Sequence, residues 1–277
     1  MRTWFITGAS RGFGALITER ALAHGDAVVA TARNPAPLST QFEGEPNLLA
    51  LPLDVADEAQ AREAARLAVE RFGHIDVLVN NAGHGLLGAV EEATAAEVEA
   101  LYRINVFGLL AVTRAVLPHM RRQRSGRILN FSSIGGYVAS QGWGVYCSTK
   151  FAVEGLSEAL ALELKPLGIH VTAIEPGYFR TDFLDKSSLS VSPNKIDDYH
   201  ETSGAMRDFA ASANHEQPGD PAKLAEVLIE FAGMPNPPVR LPLGSDTIAY
   251  IAKKNAETEA LLKQWHDVAV STDFATT

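Results

Sequence analysis

The chain has 277 residues, of which 46% are hydrophobic and 21% are charged, an ordinary composition for a soluble globular protein. Its formal net charge of −9 argues against a nucleic-acid-binding surface. A single cysteine, Cys147, excludes an intramolecular disulfide framework, and the N-terminal residues lack the pattern of a signal peptide. With no apolar run of membrane-spanning length either, we expect a cytoplasmic protein with no membrane or nucleic-acid partner.

Short apolar runs alternate along the chain with longer amphipathic segments. The apolar runs typical of strands lie at 4–6, 27–31, 48–51, 75–79, 127–131, 169–174 and 239–243, and helical patterns lie near 12–24, 57–72, 94–122 and 145–167. Continuously apolar strands indicate a sheet buried on both faces, and regular alternation favours right-handed crossovers. The chain is therefore predicted to be α/β, a doubly wound parallel sheet or Rossmann fold. Because no repeat or linker interrupts it, one domain over 1–277 is predicted.

The region from about 180 to 220 departs from this alternation. It is rich in Ser, Asp, Asn and Pro, and it contains one short helical pattern near 197–210. A connection of this length inside an α/β fold is usually functional or disordered. Since an insertion after a late strand is well placed to cover a substrate, we predict a substrate lid near 180–220. A passive surface insertion is the alternative.

A glycine-rich turn follows the first predicted strand and opens a helix. Its residues are Thr7-Gly8-Ala9-Ser10-Arg11-Gly12-Phe13-Gly14. Glycines let the backbone turn sharply and approach a pyrophosphate, and the helix N-terminus supplies free N–H groups to the phosphates. The glycine spacing differs from the usual G-x-G-x-x-G fingerprint, although the order of strand, turn and helix is the expected one. A dinucleotide site is predicted here, with contacts from Gly8, Ser10, Arg11, Gly12, Phe13 and Gly14; a turn without a ligand is the alternative.

The end of the second predicted strand favours one cofactor over the other. In NAD sites an acidic residue about 20 positions beyond the glycine turn binds the ribose 2′-hydroxyl. Here the strand ends in Thr31-Ala32-Arg33-Asn34, without a carboxylate. A guanidinium matches a 2′-phosphate in charge and geometry, and Arg11 is in position to approach the same group. We therefore predict NADP(H), with NAD(H) second, unless Arg33 is only a solvated residue at the strand end.

Tyr146 and Lys150 stand four residues apart in a predicted helix. This spacing places both side chains on one helical face. An ammonium beside a phenol favours the phenolate and lowers the phenol pKa from its ordinary value of about 10. A tyrosine tuned in this way can exchange a proton with an alcohol or carbonyl oxygen. Such a pair also arises by chance, so its meaning depends on the rest of the chain.

Further motifs follow in a fixed order along the sequence. They are Leu53-Asp54-Val55, Asn80-Asn81-Ala82-Gly83, Asn105, Ser133, Pro176-Gly177 and Thr181. Together with the glycine turn and the Tyr146-x-x-x-Lys150 pair, they resemble the short-chain dehydrogenase/reductase family in its single-domain form, over roughly residues 1–180. The resemblance implies cofactor contacts from Asp54, Val55, Asn81, Ala82, Gly83, Tyr146, Lys150, Pro176, Gly177 and Thr181, with Thr181 at the nicotinamide amide.

The same resemblance implies an active-site set. Tyr146 is expected to exchange a proton with the substrate oxygen, and Ser133 to hydrogen-bond that oxygen. Lys150 is expected to lower the pKa of Tyr146 and to bind the nicotinamide ribose, and Asn105 to hold a water that links Lys150 to solvent. Ser132 competes with Ser133 for the catalytic place. We prefer Ser133 because it lies thirteen residues before Tyr146, the usual family spacing.

The predicted function is hydride transfer between NADP(H) and a carbonyl or secondary alcohol, on a hydrophobic ketone or aldehyde. A non-catalytic dinucleotide-binding redox sensor is the alternative. Candidate apolar residues of the substrate pocket are Tyr137, Trp143, Tyr178, Phe183, Leu184, Leu189, Val191, Ile196, Tyr199 and Met206. The alternative is that the apolar lid residues only pack the lid onto the domain.

Several residues outside this set also carry expectations. The helix after Tyr146 is too apolar for a single buried stripe, so we predict that it packs against a second subunit. The family resemblance implies a homodimer or homotetramer built on that helix. The eight histidines form no ligand motif, and no metal site is predicted. Cys147 is expected to face away from Tyr146 as a small packing residue, and the acidic stretch that begins at Glu91-Glu92 is expected to be solvated.

Overall fold

The structure is a computed structural model that describes residues 1–274 of the chain. Its strands are β1 (Thr3–Thr7), β2 (Ala27–Ala32), β3 (Leu48–Pro52), β4 (Val77–Asn80), β5 (Gly85–Leu87), β6 (Gly126–Phe131), β7 (Ile169–Pro176), β8 (Leu189–Val191) and β9 (Arg240–Leu243). Seven of them form one parallel sheet in the order β3-β2-β1-β4-β6-β7-β9. The order reverses between β1 and β4, and this switch point is where ligands bind in doubly wound sheets. The predicted fold class is confirmed.

Helices cover both faces of the sheet. They are α1 (Gly12–Ala23), α2 (Ala36–Gln41), α3 (Glu58–Phe72), α4 (Ala95–Tyr102), α5 (Leu109–Gln123), α6 (Gly144–Leu164), α7 (Ala205–Ala213), α8 (Pro221–Phe231) and α9 (Ser245–Val270). Trp4 and Ile6 of β1 pack with α1 and α8, whereas Phe5 packs with α3 and α5 on the other face. All residues of β1, β2 and β4 are buried, which explains why these strands read as continuously apolar.

One helical stretch also has the composition of a membrane span. Ala95–Gln123 runs through α4, a wider π-helical turn and α5, and its most apolar 18-residue window has a mean hydropathy of 1.4. In this fold 56% of that window is buried, and side chains such as Val112, Val116 and Met120 pack against the sheet. The core helix of a globular domain meets the same criteria of length and composition, so the stretch is weak evidence for a membrane.

The predicted lid is tied to the body of the domain by a buried carboxylate. Glu92 is fully buried and accepts hydrogen bonds from the Ile196 N–H (2.9 Å) and the Ser203 hydroxyl (3.2 Å), and it pairs with the Arg207 guanidinium. The lid strand β8 also pairs with β5. The expectation of a solvated acidic stretch is therefore wrong for Glu92, because the lid brings backbone and guanidinium donors that need a buried acceptor.

The C-terminal helix α9 was not predicted from the sequence. Its first turns contact the body, where Thr247 is buried and Asn255 accepts a hydrogen bond from the Tyr137 hydroxyl (2.6 Å). Beyond these turns most of its side chains are exposed. The largely polar run at 253–259 interrupts the apolar pattern between Ile251 and Leu261, so the periodicity over the whole helix is weak.

Candidate active site

A cavity of about 1000 Å³ opens at the carboxyl ends of the central strands. The sequence-predicted residues that line it are Gly8, Ser10, Arg11, Gly12, Phe13, Arg33, Asp54, Val55, Asn81, Ala82, Gly83, Ser133, Tyr146, Lys150, Pro176, Gly177 and Thr181. Two predicted residues are outside the lining. Gly14 packs against Gly8 and Asn81, and Asn105 is hydrogen-bonded to His84, so both position residues that do line the cavity. The parallel sheet collects these distant segments because every strand ends at the same edge.

The glycine turn is built for close backbone packing. Gly8 has a φ of +64°, a conformation that favours glycine. A Cβ on Gly14 would lie 2.4 Å from the Gly8 carbonyl oxygen and 2.7 Å from Asn81 Nδ2. The Asn81 amide donates to the carbonyls of Thr7 (2.9 Å) and Gly8 (3.1 Å), which fastens the turn to the end of β4. The chain thus leaves an open cradle at the N-terminus of α1, and the residues fit a dinucleotide pyrophosphate.

The two arginines of the predicted cofactor site lie at the cavity rim in different settings. Arg33 is exposed and lines the cavity. Burial lowers the pKa of His84, and the nearby positive charge of Arg33 lowers it further, so that charge acts within the cavity. Arg11 instead reaches across to the lid, where its Nη2 donates to the Ser187 carbonyl (2.6 Å). The expected approach of Arg11 to a 2′-phosphate is thus replaced in this structure by a contact with the lid.

The structure brings Ser133, Tyr146 and Lys150 together below the cavity. Burial raises the pKa of Tyr146, and a hydrogen bond with Ser133 acts in the opposite direction. Burial also lowers the pKa of Lys150 to about 8, against the charge of Glu154, which raises it. The Lys150 Nζ donates to the Phe131 carbonyl (2.8 Å) and lies 5.7 Å from the centroid of the Tyr146 ring.

The net shift of the Tyr146 pKa is upward, opposite to the direction expected for the pair. The ammonium lies over the ring and donates to a backbone carbonyl, so desolvation of the phenolate dominates. A raised pKa keeps the Tyr146 phenol protonated at neutral pH. In this state the residue is a proton donor, which suits reduction of a carbonyl.

Asn105 lies in the π-helical turn Arg103–Gly108, between α4 and α5. Its Oδ1 accepts from the His84 N–H (3.0 Å), and its Nδ2 donates to the His84 carbonyl (2.9 Å) and to the Thr149 hydroxyl (3.2 Å). The side chain therefore joins the loop after β4 to helix α6. π-Helical turns within α-helices are frequent at functional sites. Here the turn supports the lysine-bearing helix rather than the cavity wall.

Ser132 and Ser133 lie at the end of β6 but face different groups. The Ser133 hydroxyl is beside Tyr146 and accepts from the Gly135 N–H (3.0 Å). The Ser132 hydroxyl is beside Glu154 of α6, on the side away from Tyr146. The geometry favours Ser133 as the substrate-facing serine.

Aromatic side chains form one wall of the cavity. The Tyr146 ring lies 5.6 Å from the Trp143 ring and 5.7 Å from the Phe183 ring, centroid to centroid. Of the predicted apolar residues, the cavity is lined by Trp143, Tyr178, Phe183, Leu184 and Leu189, but not by Tyr137, Val191, Ile196, Tyr199 or Met206. Tyr137 packs under the Arg240 guanidinium, and the Tyr199 hydroxyl donates to Glu91 (2.6 Å). Both phenols serve other contacts, and the expectation for this second group is wrong.

The cavity lining includes residues that the sequence did not predict, among them His84, Cys147 and Tyr250. His84 follows the Asn81-Ala82-Gly83 motif by one residue, and Tyr250 comes from the unpredicted helix α9. Cys147 also lines the cavity, although it was expected to face away. Gly135 leaves room for its sulfur, since a Cβ at position 135 would lie 3.2 Å from the Cys147 sulfur.

One group of side chains has metal-ligand spacing. Potential ligand atoms of Asp182, Asp185 and His215 lie within 4.8 Å of one another near the lid. Exposed acidic groups often lie this close without a metal. The absence of a metal site stays a prediction.

A doubly wound sheet with a glycine turn at its switch point, and with serine, tyrosine and lysine at the adjoining strand end, defines a nicotinamide-dependent oxidoreductase. Residues 2–191 match the family model described as short chain dehydrogenase. The chain belongs to the short-chain dehydrogenase family, as its motifs predicted.

Relatives along the whole chain agree. The oxidoreductase BOA17 of Botryotinia fuckeliana is 37% identical over 272 residues, which covers 98% of each chain. A 3-ketodihydrosphingosine reductase of Bacteroides thetaiotaomicron is 37% identical over 252 residues, 91% of each chain. A solved short-chain dehydrogenase from Streptomyces avermitilis is 40% identical, with a TM-score of 0.91 over 99% of each chain. These names favour an enzyme acting on CH–OH or C=O groups over the redox sensor.

Two more distant structures bear on the cofactor. A serine dehydrogenase complexed with NADP+ is 28% identical, with a TM-score of 0.73 over 87% of this chain and 94% of the other. A 3-ketoacyl-(acyl-carrier-protein) reductase from Brucella melitensis complexed with NADH is 26% identical, with a TM-score of 0.72 over 87% of this chain and 96% of the other. They support a nicotinamide dinucleotide in the cavity.

Proposed function

We propose that this enzyme uses NADP(H) to reduce a hydrophobic ketone or aldehyde, and to oxidise the corresponding alcohol in reverse. The observation that supports this most is the setting of Tyr146. Its phenol is buried beside Ser133, its ring packs on Trp143 and Phe183, and it lines the cavity. A protonated phenol at an apolar wall suits a substrate whose one polar atom is the reacting oxygen.

The choice of NADP(H) rests on charge. Arg33 lines the rim at the end of β2, where NAD enzymes place a carboxylate. A 2′-phosphate there gains a charge-assisted, bidentate partner. Bound NADPH supplies the hydride that reduces the carbonyl carbon.

The chain's own residues handle the proton and the charge. Tyr146 donates its phenol proton to the substrate oxygen, and the Ser133 hydroxyl hydrogen-bonds that oxygen as negative charge develops. Lys150 is held by its hydrogen bond to the Phe131 carbonyl, with its positive charge over the Tyr146 ring. This charge stabilises the phenolate that Tyr146 becomes after it donates its proton. Asn105 fixes helix α6 against the loop after β4, and it is the candidate for a water-mediated link between Lys150 and solvent. The proposed cofactor contacts come from the sequence-predicted residues that line the cavity, from the glycine turn to Pro176-Gly177, with Thr181 at the nicotinamide amide.

The substrate class rests on the aromatic wall of the cavity. Trp143, Phe183, Leu184 and Leu189 give it an apolar surface, and Tyr178 adds a partly polar edge. The Bacteroides relative is named for a 3-keto group, which agrees with a ketone substrate. We further propose that the protein is cytoplasmic. We also propose a homodimer or homotetramer, since the apolar side chains of Phe151 and Leu162 on α6 are 46% and 77% exposed in the single chain. Light scattering at micromolar concentration tests the assembly, and a monomer contradicts it.

Oxidation of NADPH, followed by its absorbance, tests the activity. The panel contains long-chain ketones, polycyclic ketones, aromatic aldehydes and quinones, with small polar ketones as the comparison set. We expect turnover of at least one hydrophobic carbonyl compound, and weaker turnover with NADH at equal concentration. Turnover confined to the small polar ketones contradicts the substrate class, and tighter binding of NADH than of NADPH contradicts the cofactor choice.

A further inference from the structure

Two buried carboxyl groups lie behind the Tyr146–Lys150 pair, and the reaction above does not use them. Glu154 follows Lys150 by one helical turn on α6, and its residue is 3% exposed. Glu175 lies near the end of β7, one residue before the cofactor segment Pro176-Gly177, and is 1% exposed. Charged carboxylates are rarely buried to this degree unless they are paired or carry a proton.

The cluster contains more negative charge than it can balance. Arg240 Nε lies 3.3 Å from Glu154 Oε2 and 3.8 Å from Glu175 Oε1. The same guanidinium donates through Nη2 to Glu158 (2.8 Å), which is at the surface. One guanidinium therefore serves three carboxyl groups, two of them buried, and within residues 1–274 the other cation beside them is Lys150. Two carboxylates in such a site repel each other, and one of them holds a proton to a higher pH than usual.

The hydrogen-bond inventory leads to the same conclusion. Within residues 1–274, neither side-chain oxygen of Glu154 has a well-formed hydrogen bond, nor does Glu175 Oε1. A proton on either carboxyl group provides a donor to the other, and so satisfies two of these buried atoms at once. The Ser132 hydroxyl, itself without a well-formed bond in this part of the chain, faces the pair.

Gly136 allows this packing. A Cβ on it would lie 2.4 Å from Ser132 Oγ and 3.0 Å from Glu154 Cγ. Because position 136 is glycine, no Cβ there pushes the Ser132 hydroxyl and Glu154 apart. Ser132 also lines the cavity, so it connects the cavity wall to the buried carboxyl groups.

We propose that Glu154 and Glu175 form an acid pair that holds one proton between them, and that the charge of this pair, one helical turn from Lys150, positions and tunes the Lys150–Tyr146 pair. Both glutamates are positioning residues, because they act through Lys150 and do not line the cavity. The other titratable or charged groups that face the pair are Lys150 and Glu158 from α6, Arg240 from β9, and Tyr137 from the turn after β6.

The electrostatics of the site agree with the geometry. Burial, and next the charge of Glu154, raise the pKa of Glu175 to about 7. Burial raises the pKa of Glu154 as well. The charge of Glu154 raises the pKa of Lys150 against the larger effect of burial, which lowers it. Loss of the shared proton near neutral pH thus adds negative charge beside Lys150 and helps it to stay protonated.

The proton itself can be observed without substrate or cofactor. Carboxyl carbons of glutamate-labelled protein are followed by ¹³C NMR from about pH 5 to pH 9, in wild type, Glu154→Gln, Glu175→Gln and the surface control Glu158→Gln. An ordinary glutamate titrates near pH 4.3, so a resonance that titrates about two or more pH units higher reports the pair. We expect it in wild type and, at the same pH, in Glu158→Gln. In Glu154→Gln and Glu175→Gln it should move to lower pH, because the remaining carboxylate is still buried but no longer faces a second one. Its absence from wild type, its survival at the wild-type pH in both pair variants, or its displacement in Glu158→Gln overturns the proposal.

The effect on Lys150 is measured by the pH profile of kcat for ketone reduction, with NADPH and any ketone that wild type accepts. Without the Glu154 charge, Lys150 loses its proton at lower pH. We expect the alkaline limb to move down by about one pH unit in Glu154→Gln, a roughly tenfold loss on that limb, with KM for the ketone little changed. Glu154→Asp, which restores a carboxyl group, should recover most of the shift, and Glu158→Gln should show none.

A purely structural role for Glu154 predicts a lower kcat at every pH and no movement of the limb, and that result overturns the tuning. Circular dichroism checks that each variant folds. If Glu154→Gln does not fold, the wild-type titration together with Glu175→Gln still decides whether the shared proton exists. The NMR measurement does not depend on the proposed function, so a wrong substrate class leaves it intact.

Discussion

The Lys150 ammonium donates a hydrogen bond to the backbone carbonyl of Phe131, with 2.8 Å between Nζ and the oxygen. Phe131 ends β6, and Ser132 and Ser133 follow it directly, so this bond ties the helix of the tyrosine to the strand of the serine. The chain's own hydrogen bonds therefore hold the active-site set together. Preorganised groups of this kind stabilise developing charge without reorganisation during the reaction.

Tyr146→Phe removes the phenol oxygen and keeps the ring that packs on Trp143 and Phe183. We expect kcat for reduction to fall by at least about 10²–10⁴-fold, the range of general acid–base catalysis. The Kd for NADPH, measured by fluorescence, should change little, because the phenylalanine ring keeps the contacts with Trp143 and Phe183 and so leaves the shape of the cavity unchanged. Near-normal turnover by this variant shows that another group supplies the proton.

Lys150→Met should stabilise the ligand-free protein while it abolishes activity. The pKa of Lys150 is lowered to about 8, below its value of about 10.4 in an unfolded chain, so between these values the unfolded state binds more protons. The cost of burying the ammonium is present in full below pH 8 and disappears as pH rises toward 10.4.

After allowance for the lost bond to Phe131, we expect Lys150→Met to gain about 1–2 kcal/mol in the free energy of unfolding at pH 7. Urea unfolding at several pH values measures it. The gain over wild type should shrink as pH rises from about 8 to about 10. A gain that grows with pH, or a variant less stable at pH 7, contradicts the desolvation of Lys150.

The sequence was sufficient for the sheet and for most of the cavity lining. Strands buried on both faces are continuously apolar, and parallel strands bring their following loops to one edge, so Gly8, Asn81, Ser133 and Gly177 could be placed together without a structure. The family resemblance names these residues, and the topology of the sheet explains why they meet at one edge.

What the sequence could not predict depends on three-dimensional packing. The burial of Glu92 follows from a lid more than a hundred residues away, and Tyr250 enters the cavity from a helix with weak periodicity. The raised pKa of Tyr146 also required the structure, because spacing alone gives the proximity of Lys150 but neither the direction of its ammonium nor the depth of burial.

Arg33→Asp should reverse the cofactor preference. The new carboxylate repels a 2′-phosphate and accepts a hydrogen bond from a ribose 2′-hydroxyl. We expect the Kd for NADPH to rise by about tenfold or more, from the loss of a charge-assisted pair worth about 1.5–3 kcal/mol, while that for NADH stays equal or falls. Arg11→Ala is the matched comparison, because Arg11 bonds the lid carbonyl of Ser187 and should affect both cofactors alike. Equal weakening of both cofactors by Arg33→Asp places Arg33 outside the 2′ site.

Gly14→Ala tests the close packing of the glycine turn. The added methyl would lie 2.4 Å from the Gly8 carbonyl oxygen and 2.7 Å from Asn81 Nδ2, so the turn must move away from β4. We expect a loss of about 1–3 kcal/mol in stability, together with much weaker binding of both cofactors. Gly155→Ala is the control for cofactor binding, because in the single chain its Cβ meets no atom within 4 Å and Gly155 does not line the cavity. Normal cofactor binding by Gly14→Ala shows that the turn tolerates expansion.

Glu92→Ala tests the attachment of the lid. The substitution leaves Arg207 without its buried carboxylate and removes the acceptor of the Ile196 N–H and the Ser203 hydroxyl. Breaking a buried ion pair costs about 3–5 kcal/mol, and the lid lies over the aromatic wall, so we expect lower stability and a higher KM for the carbonyl substrate. The Kd for NADPH should change less, since most of the proposed cofactor contacts come from the strand ends rather than from the lid. Glu91→Ala is the neighbouring control: Glu91 is exposed and accepts from the Tyr199 hydroxyl, so its loss should cost under about 1 kcal/mol. Equal effects of the two substitutions, or a KM unchanged by Glu92→Ala, contradict a lid that Glu92 holds in place over the substrate.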